Sequence, residues 1–396
     1  MISVQEAVAR ITGAVAPLES ETVALEMAHR RVLARDVLAR IDQPPGPLSA
    51  MDGYAVRLAD AGQAGAALRV IAAAPAGHPF VGRVGGGEAV RIFTGGVVPQ
   101  GADAIVIQED VDVDGEQIVL RAPAATKHIR AASLDFRKGD VLVRAGQRLT
   151  ARDLALIAAG DIARVKVRRK PLVTFAATGD ELSRPGEEHR AGGIVASSGY
   201  ALRALIESWG GEPLDLGILP DTVEALQRVP ESAQRADAIV TMGGASVGDH
   251  DLVQRALAPK GFALDFWKIA MRPGKPLIFG RLGGKPFLGL PGNPVSSYVC
   301  ATLFLQPLIV SLLGMPFRPR RESARLSGML RENDTREDYI RARLFLHDGQ
   351  LWAEPFPVQD SSMQSVLARA DALIVRMPHT PAASEGDAVE VIPFSD

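Results

Sequence analysis

The chain has 396 residues, 47% hydrophobic and 23% charged, which is typical of a folded protein and predicts two to four domains. Its 44 basic and 46 acidic side chains give a net charge of −2, so no overall field draws it to nucleic acid or an acidic membrane. One cysteine and seven scattered histidines exclude a disulfide framework and make a zinc site of the usual kind unexpected. Any bound anion must therefore be held by local geometry.

Residues 1–149 predict a helical N-terminal segment followed by a β-rich insert domain. Apolar side chains recur at helical spacing in residues 3–16 and 21–35. After a loop rich in Pro and Gly at 41–53, short alternating runs separated by turn residues predict strands from about 54 to 148. The N-terminus has early acids and no continuous apolar core, so no signal peptide is expected and the predicted compartment is the cytoplasm.

Residues 150–316 predict a central α/β domain. A capping box from Thr150 to Asp153 opens a helix that ends at Gly160. Strands and helices then alternate, which predicts a doubly wound, mainly parallel sheet with helices on both faces and a nucleotide-binding crevice. The expected strands lie at 171–178, 214–220, 237–242, 263–271, 276–282 and 286–290, and the expected helices at 198–209, 221–235, 249–258 and from Asn293 to Gly314.

The remaining residues, 317–396, predict a C-terminal β-barrel-like domain. A basic linker from Arg318 to Arg321 precedes a second series of short alternating runs. The apolar stretch from Val299 to Leu313 is too short to span a membrane and is expected to be a core helix.

Three predicted strands of the central domain end in short loops that contain glycine or proline. Ligands of open α/β sheets bind beyond the carboxyl ends of the strands, and exposed N–H groups in such loops suit phosphates and other oxyanions. One such loop is weak evidence, since glycine is often only a turn residue. Three at one sheet edge predict an anion site, and they are Thr178-Gly-Asp-Glu181, Gly243-Gly-Ala-Ser-Val-Gly248 and Pro291-Gly-Asn-Pro294.

Acidic side chains fall at the same predicted edge, namely Asp180, Glu181, Asp221, Asp249 and Asp251. Each can be explained as a helix-start residue, which is the more ordinary reading of Asp221 or Asp249 alone. Together, beside anion-binding loops, they indicate a hard divalent cation such as Mg²⁺ that bridges carboxylates and phosphates.

The segment Arg272-Pro-Gly-Lys-Pro276, here called the basic loop, places two cations on a stiff turn. A lysine flanked by proline is commonly a solvated turn residue. The same turn beside a phosphate site would cradle a tetrahedral anion.

Gly244-Ala-Ser-Val-Gly248 matches a nucleophile elbow, which leaves a serine hydrolase using Ser246 as an alternative function. Against it, the next helix is expected near Asp249, several residues later than an elbow requires. The later histidines, His250, His347 and His379, are poorly placed for a Ser–Asp–His order.

Seven segments, taken together, resemble the molybdopterin molybdenumtransferase family, which includes the C-terminal domain of the scaffold protein gephyrin. Singly each is modest, but in this order and spacing they are highly specific. They are Ser49-Ala-Met-Asp-Gly-Tyr-Ala55, Phe93-Thr-Gly-Gly96, Gly101-Ala-Asp-Ala-Ile-Val106, Thr178-Gly-Asp-Glu-Leu182, Gly243-Gly-Ala-Ser-Val-Gly-Asp249, Arg272-Pro-Gly-Lys-Pro276 and Leu290-Pro-Gly-Asn-Pro-Val-Ser296.

This resemblance implies a four-part, L-shaped subunit that forms a homodimer with a shared active cleft. It implies a transferase that uses molybdate and Mg²⁺ to insert molybdenum into adenylylated molybdopterin, releasing AMP and molybdenum cofactor. The dithiolene sulfurs that receive the metal belong to the substrate, which agrees with the single cysteine of the chain. Molybdopterin adenylyltransferase and apo-molybdoenzymes are the implied protein partners, without nucleic acid or membrane.

The resemblance also implies roles for individual residues. The catalytic positions are Glu181, Asp249, Lys275 and Asp52, with Glu181 and Asp249 near the metal. The substrate-binding positions, from the loops and the resemblance together, are Thr94, Asp135, Asp221, Gly243, Gly244, Ser246, Arg272, Pro291, Pro294, Arg341 and Ser361. Arg272 stands where the family often has lysine, and Ser197 or Ser198 where it often has asparagine.

The expected mechanism is electrostatic, with Mg²⁺ and fixed N–H groups on the pyrophosphate and with molybdate held by Arg272 and Lys275. Two further alternatives stay open beside the hydrolase. A non-catalytic scaffold or molybdopterin-binding protein would keep the fold and lose the acids. A molybdopterin adenylyltransferase would need only the central domain.

Overall fold

The computed structural model describes residues 1–188, 191–244 and 249–394, without the side chains of residues 249–251. Its α-helices are α1 (Val4–Gly13), α2 (Leu58–Ala61), α3 (Ala151–Ala159), α4 (Ser198–Ser208), α5 (Val223–Leu226), α6 (Val229–Ser232), α7 (Asp249–Leu257), α8 (Pro294–Cys300), α9 (Gln306–Leu312) and α10 (Gln364–Leu367). Its strands are β1 (Ser20–Ala24), β2 (Val37–Leu38), β3 (Leu48–Ser49), β4 (Gly53–Val56), β5 (Ala67–Ala74), β6 (Glu88–Ile92), β7 (Ala104–Ile107), β8 (Val111–Asp114), β9 (Gln117–Leu120), β10 (Ile129–Arg130), β11 (Val141–Val143), β12 (Arg164–Arg168), β13 (Leu172–Thr178), β14 (Leu182–Ser183), β15 (Ile194–Val195), β16 (Glu212–Leu219), β17 (Ala238–Met242), β18 (Phe262–Lys268), β19 (Met271–Arg272), β20 (Pro276–Leu282), β21 (Lys285–Leu290), β22 (Glu322–Leu326), β23 (Glu337–His347), β24 (Gln350–Pro355), β25 (Ala372–Arg376) and β26 (Ala388–Pro393).

The chain divides into two compact units, each assembled from separate segments of the sequence. The first unit comprises Met1–Glu21, Arg30–Ala34 and Val167–Asp396, and the second comprises Thr22–His29 and Arg35–Lys166. Helix α1 belongs to the first unit because Ala7 and Ile11 are buried in its core. Helix α3 belongs to the second unit, where Gly160 at its end lies against Leu142 of β11.

The second unit is built on a six-stranded sheet in the order β7-β4-β6-β5-β9-β8. β5 and β6 run parallel, while the other neighbours are antiparallel. Successive side chains of β4 enter different cores, with Tyr54 and Val56 in one and Ala55 in the other, as the period of a strand requires. The predicted β-rich domain is confirmed here.

The helix predicted at residues 21–35 is wrong. Residues 20–24 form strand β1, and only a single 3₁₀ turn, Leu25–Met27, follows. The β-branched Thr22 and Val23 favour the extended backbone, and Leu25 N donates to Ala163 O at 2.9 Å. The spacing of apolar residues in this segment also suits a helix, and it carries no information about a hydrogen bond to a residue far away in the sequence.

The first unit is built on a six-stranded sheet in the order β16-β13-β17-β21-β20-β18. The first four strands are mutually parallel. β20 pairs antiparallel with β21, and β18 pairs antiparallel with β20. Alternate side chains enter different cores: Val240 packs on the side of α1, α4, α8 and α9, and Ile239 on the side of α5, α6 and α7. The predicted doubly wound α/β architecture is confirmed, with two antiparallel strands at one edge.

Two predicted helices of this unit are interrupted. The segment 221–235 forms the short helices α5 and α6 because Pro230, which has no N–H, stands at the start of the second. Between α8 and α9 a π-helical segment, Ala301–Leu305, precedes Pro307, and such a bulge accommodates a proline within a continuous helix. The segment Pro294–Leu312 is apolar and long enough to cross a membrane, so the expectation that it is too short was wrong. Its most apolar window is 78% buried, which confirms the predicted core helix.

The C-terminal strands close on themselves. They run in the order β23-β24-β22-β26-β25, and β25 pairs back to β23, so five strands form a ring. The short strand β19 of the basic loop adds to β23 in parallel. The predicted C-terminal barrel is therefore present and is hydrogen-bonded to the central α/β part.

Candidate active site

A cleft of about 620 Å³, partly open to solvent, lies where the parallel strands of the first unit end. The strands β13, β17 and β21 end at Thr178, Met242 and Leu290, and the loops that follow line the cleft. Gly243 and Gly244, together with Pro291 and Pro294, are among the lining residues. The rest of the second loop, including Ser246, lies outside the described residues.

The loop after β17 requires glycine. Gly243 has φ +97°, and a Cβ there would lie 2.5 Å from the carbonyl oxygen of Thr178. Gly244 has φ +65°, so the chain presents backbone rather than side chain to the cleft. The Thr178 hydroxyl, on a side chain that is 6% exposed, has no hydrogen-bond partner within the described part of the chain.

Two of the predicted acidic residues, Glu181 and Asp221, line the cleft. The Glu181 carboxylate folds back over Gly179, where an added Cβ would lie 2.7 Å from Oε2. Asp221 N donates to Asp180 Oδ1 at 3.2 Å, which joins the loops after β13 and β16. Asp249 begins α7, but its side chain is not described.

The described carboxylates can hold a cation only with help from a ligand. Within the described residues no group of three or more His, Cys, Asp or Glu side chains is placed to hold a metal ion. Mg²⁺ usually takes one or two protein carboxylates and completes its shell with phosphate and water. The oxygen donors of Glu181 and Asp221 fit that role, because both residues line the same cleft.

The basic loop joins the cleft at Pro276, which is one of its lining residues. Lys275 is exposed beside it. The Arg272 guanidinium instead contacts Asp338 at 2.9 Å and Asp334 at 3.7 Å, and the hydrogen bond with Asp338 raises the pKa of Arg272. Gly274, at φ +106°, packs its Cα against Cys300.

The C-terminal barrel supplies another wall of the cleft. Ser361 accepts hydrogen bonds from Asn293 Nδ2 at 3.0 Å and, through its carbonyl, from Val295 N at 3.1 Å. Gln364 Nε2 donates to Ser197 Oγ at 2.6 Å, and Gln364 lines the cleft. Asn293 stands at the N-cap position of α8, but its side chain bonds Ser361 and not the backbone of the helix.

Arg341 lies behind this wall and not in the cleft lining. Its fully buried side chain donates to Gln359 Oε1 at 3.0 Å and to the carbonyl of Asp360 at 2.8 Å, and burial lowers its pKa. Arg341 Nη2 has no partner among the described residues. The residue therefore supports the turn that carries Ser361.

Three predicted site residues belong to the second unit. Asp52 Oδ1 accepts hydrogen bonds from Thr94 N at 2.7 Å and Thr94 Oγ1 at 2.8 Å. These two bonds hold the pKa of Asp52 below its usual value. Asp135 lies on an exposed turn, where its N–H donates to Gln43 O at 2.9 Å. The structure thus pairs Asp52 directly with Thr94.

Thr178, Ser362 and Gln364 line the cleft but were not among the predicted site residues. Thr178 was named only as the first residue of the predicted loop Thr178-Gly-Asp-Glu181. The other two lie in a polar run, residues 359–365, with no local pattern beyond that of a turn.

Similarity to known proteins covers the whole of this architecture. Three family models match in series: MoeA N-terminal region (domain I and II) at residues 2–160, probable molybdopterin binding domain at 175–310, and MoeA C-terminal region (domain IV) at 323–394. A molybdopterin molybdenumtransferase from Haemophilus influenzae is 36% identical over 385 residues, covering 96% of this chain and 95% of the relative.

The chain belongs to the molybdopterin molybdenumtransferase family. A second member, from Nostoc sp., is 37% identical and covers 84% of this chain and 78% of its own length. Among solved structures, the molybdopterin biosynthesis moeA protein of Pyrococcus horikosii matches over 100% of both chains, with 32% identity and a TM-score of 0.87. Membership of the molybdopterin molybdenumtransferase family makes the chain an enzyme of molybdenum cofactor biosynthesis.

Proposed function

We propose that this chain inserts molybdenum from molybdate into adenylylated molybdopterin with the help of Mg²⁺, releasing AMP. The observation that carries the proposal is the cleft at the sheet edge, where two glycine-rich or proline-rich loops and the carboxylates Glu181 and Asp221 face one space. Backbone N–H groups suit a pyrophosphate, and carboxylates suit the cation that accompanies it.

Glu181 and Asp221 are the described residues that would hold Mg²⁺, and Asp249 is proposed with them from its place at the start of α7. When bound, Mg²⁺ neutralises phosphate charge. The backbone N–H groups of Gly244 and Gly292 would orient the phosphates, and such fixed donors need no reorganisation during the reaction. Gly243 N already donates to Leu290 O at 3.1 Å.

The basic loop is the proposed site of molybdate. Lys275 is exposed at the cleft edge, and Arg272 lies on the same turn, so the two side chains could grip one tetrahedral dianion. No covalent intermediate with the chain is required, because the sulfurs that receive molybdenum belong to the substrate. Asp52 and Thr94 of the second unit are proposed substrate contacts on the strength of the family resemblance.

The wider setting is also proposed. We infer a homodimer in the cytoplasm that receives adenylylated molybdopterin from a molybdopterin adenylyltransferase and passes molybdenum cofactor to apo-molybdoenzymes. The full-length match to molybdopterin molybdenumtransferases of several bacteria supports this setting.

The decisive measurement is AMP release from adenylylated molybdopterin and Mg²⁺, with and without molybdate. Molybdate-dependent AMP, together with activation of a cofactor-free molybdoenzyme, is the expected result. Glu181→Gln should lower kcat by about 100-fold or more, given typical losses when transition-state charge stabilisation is removed. Glu212→Gln is the matched control, because Glu212 is the first residue of β16 and the cleft lies at the other end of the strands. Folded protein that releases no AMP would refute the proposal.

A further inference from the structure

The ion pair between Arg272 and Asp338 ties one cation of the basic loop to the C-terminal barrel. Arg272 Nη2 donates to Asp338 Oδ2 at 2.9 Å, and the Asp338 side chain is only 17% exposed. The backbone enforces this pairing: β19 runs parallel to β23 with Arg272 opposite Asp338, and Glu337 N donates to Ala270 O at 2.9 Å. Arg272 is therefore held in one direction before any ligand arrives.

A second carboxylate faces the same guanidinium. Asp334 Oδ2 lies 3.7 Å from Arg272 Nη1. Asp334 is itself fixed by Arg336, whose backbone N–H donates to it at 2.8 Å and whose Nη2 donates at 3.0 Å. Asp334 and Asp338, here called the acidic pair, thus approach Arg272 from two positions.

Lys275, the other cation of the basic loop, is not paired with a carboxylate among the described residues. Lys275 is exposed, and it takes part in no ion pair within the described part of the chain. The two cations that would grip an oxyanion are therefore unequal: Lys275 is available, whereas Arg272 is already neutralised by carboxylates. This difference comes from the barrel and not from the loop itself.

We propose that the acidic pair sets the strength of oxyanion binding at the basic loop. This inference rests on the proposed assignment of Arg272 to molybdate. An incoming anion must either replace Asp338 as the acceptor of Arg272 Nη2 or bind close to the negative charge of Asp338. The acidic pair therefore weakens the binding of every anion. The repulsion is proportional to the charge of the anion, so a dianion such as molybdate is opposed more strongly than a monoanion. The acidic pair therefore holds the affinity for molybdate below the value that Lys275 and Arg272 would give without it.

The test measures molybdate binding by equilibrium dialysis on the full-length protein, and the KM for molybdate in AMP release. Asp338→Asn should tighten molybdate binding about two- to fivefold at low salt, the range expected for one partly exposed ion pair, and should lower KM while kcat changes little. Asp334→Asn should act in the same direction with a smaller effect. Asp338→Glu should restore the wild-type affinity. Chloride should gain less affinity than molybdate from Asp338→Asn, because the repulsion that is removed is proportional to the charge of the anion.

Two double variants separate this role from a structural one. In an Arg272→Ala background, Asp338→Asn should leave molybdate affinity unchanged, whereas in a Lys275→Ala background it should keep its effect. Tighter binding that persists without Arg272, or unchanged binding in both Asp338→Asn and Asp334→Asn, overturns the inference. Asp338 also lies near the buried Arg376, so Asp334→Asn, with a 45% exposed side chain, decides the question if Asp338→Asn does not fold.

The outcomes also separate this inference from the proposed function. If molybdate does not stimulate AMP release, but Asp338→Asn still tightens molybdate binding through Arg272, the proposed reaction fails and the role of the acidic pair stands. If AMP release depends on molybdate, and neither acidic-pair variant shifts binding or KM, the reaction stands and the role of the acidic pair fails.

Discussion

Replacing Gly274 with alanine should destabilise the first unit by about 2–5 kcal/mol. Its φ of +106° is costly for a residue with a Cβ, by about 1–2 kcal/mol. The new methyl group would also overlap the Sγ of Cys300, which is fully buried, and such overpacking costs about 1–3 kcal/mol. The two costs can be measured separately, because only the second depends on the sulfur.

A double-mutant cycle with Cys300→Ala isolates the contact. In that background Gly274→Ala should cost only the backbone strain, which leaves a coupling energy of about 1–3 kcal/mol between the two positions. Gly284→Ala is the matched control, since Gly284 has φ +81° and nothing within 4 Å of an added Cβ. It should cost about 1–2 kcal/mol and show no coupling to Cys300.

Urea unfolding followed by tryptophan fluorescence is a suitable assay, because all three tryptophans, Trp209, Trp267 and Trp352, belong to the first unit. The signal therefore reports the unit that carries the substitution, even where the whole chain does not unfold in one step. Additive effects of Gly274→Ala and Cys300→Ala would show that the clash is relieved by other movements, and would refute the reasoning.

Other substitutions have equally definite outcomes. Asn333→Ala should cost about 2–4 kcal/mol in the same fluorescence assay, because the buried Nδ2 donates to three backbone carbonyls; a loss below 1 kcal/mol would contradict this. Thr150→Ala should cost about 1 kcal/mol and speed hydrogen exchange in α3, where Thr150 and Asp153 form the capping box; unchanged exchange would argue against it. Asp52 has a folded pKa below its unfolded value, so it stabilises the fold above about pH 4 and loses this effect as pH falls through the folded pKa. Thr94→Val should raise the Asp52 pKa in an NMR carboxyl titration, and an unmoved pKa would disprove the role of the hydroxyl.

The central sheet could be predicted because its signal is local. Apolar runs such as residues 172–178 and 238–242 are bounded by turn residues, and their alternation with helices restricts the architecture to few choices. The glycine-rich loops could be placed at one edge for the same reason, since parallel strands end together. Thr150 and Asp153 formed the predicted capping box because it depends on residues three apart.

The rest of the site depends on contacts that leave no local pattern. The bond between Gln364 and Ser197 joins residues 167 positions apart, and the ion pair of Arg272 with Asp338 spans 66 positions. Periodicity reports which face of an element is apolar, and not which partner covers it. Arg341 shows the same limit: the family resemblance implied a substrate-binding position, whereas here its side chain is buried behind the wall that carries Ser361.

The burial of Cys300 has a consequence for handling a sulfur-rich substrate. Its thiol is inaccessible, and burial raises its pKa well above the usual value, so it cannot readily form a thiolate. It is also the sole cysteine of the chain. The folded protein therefore offers no thiol that could form a mixed disulfide with a dithiolene or compete with it for metal. A thiol reagent added to the loaded protein would accordingly count the sulfurs of the bound substrate alone.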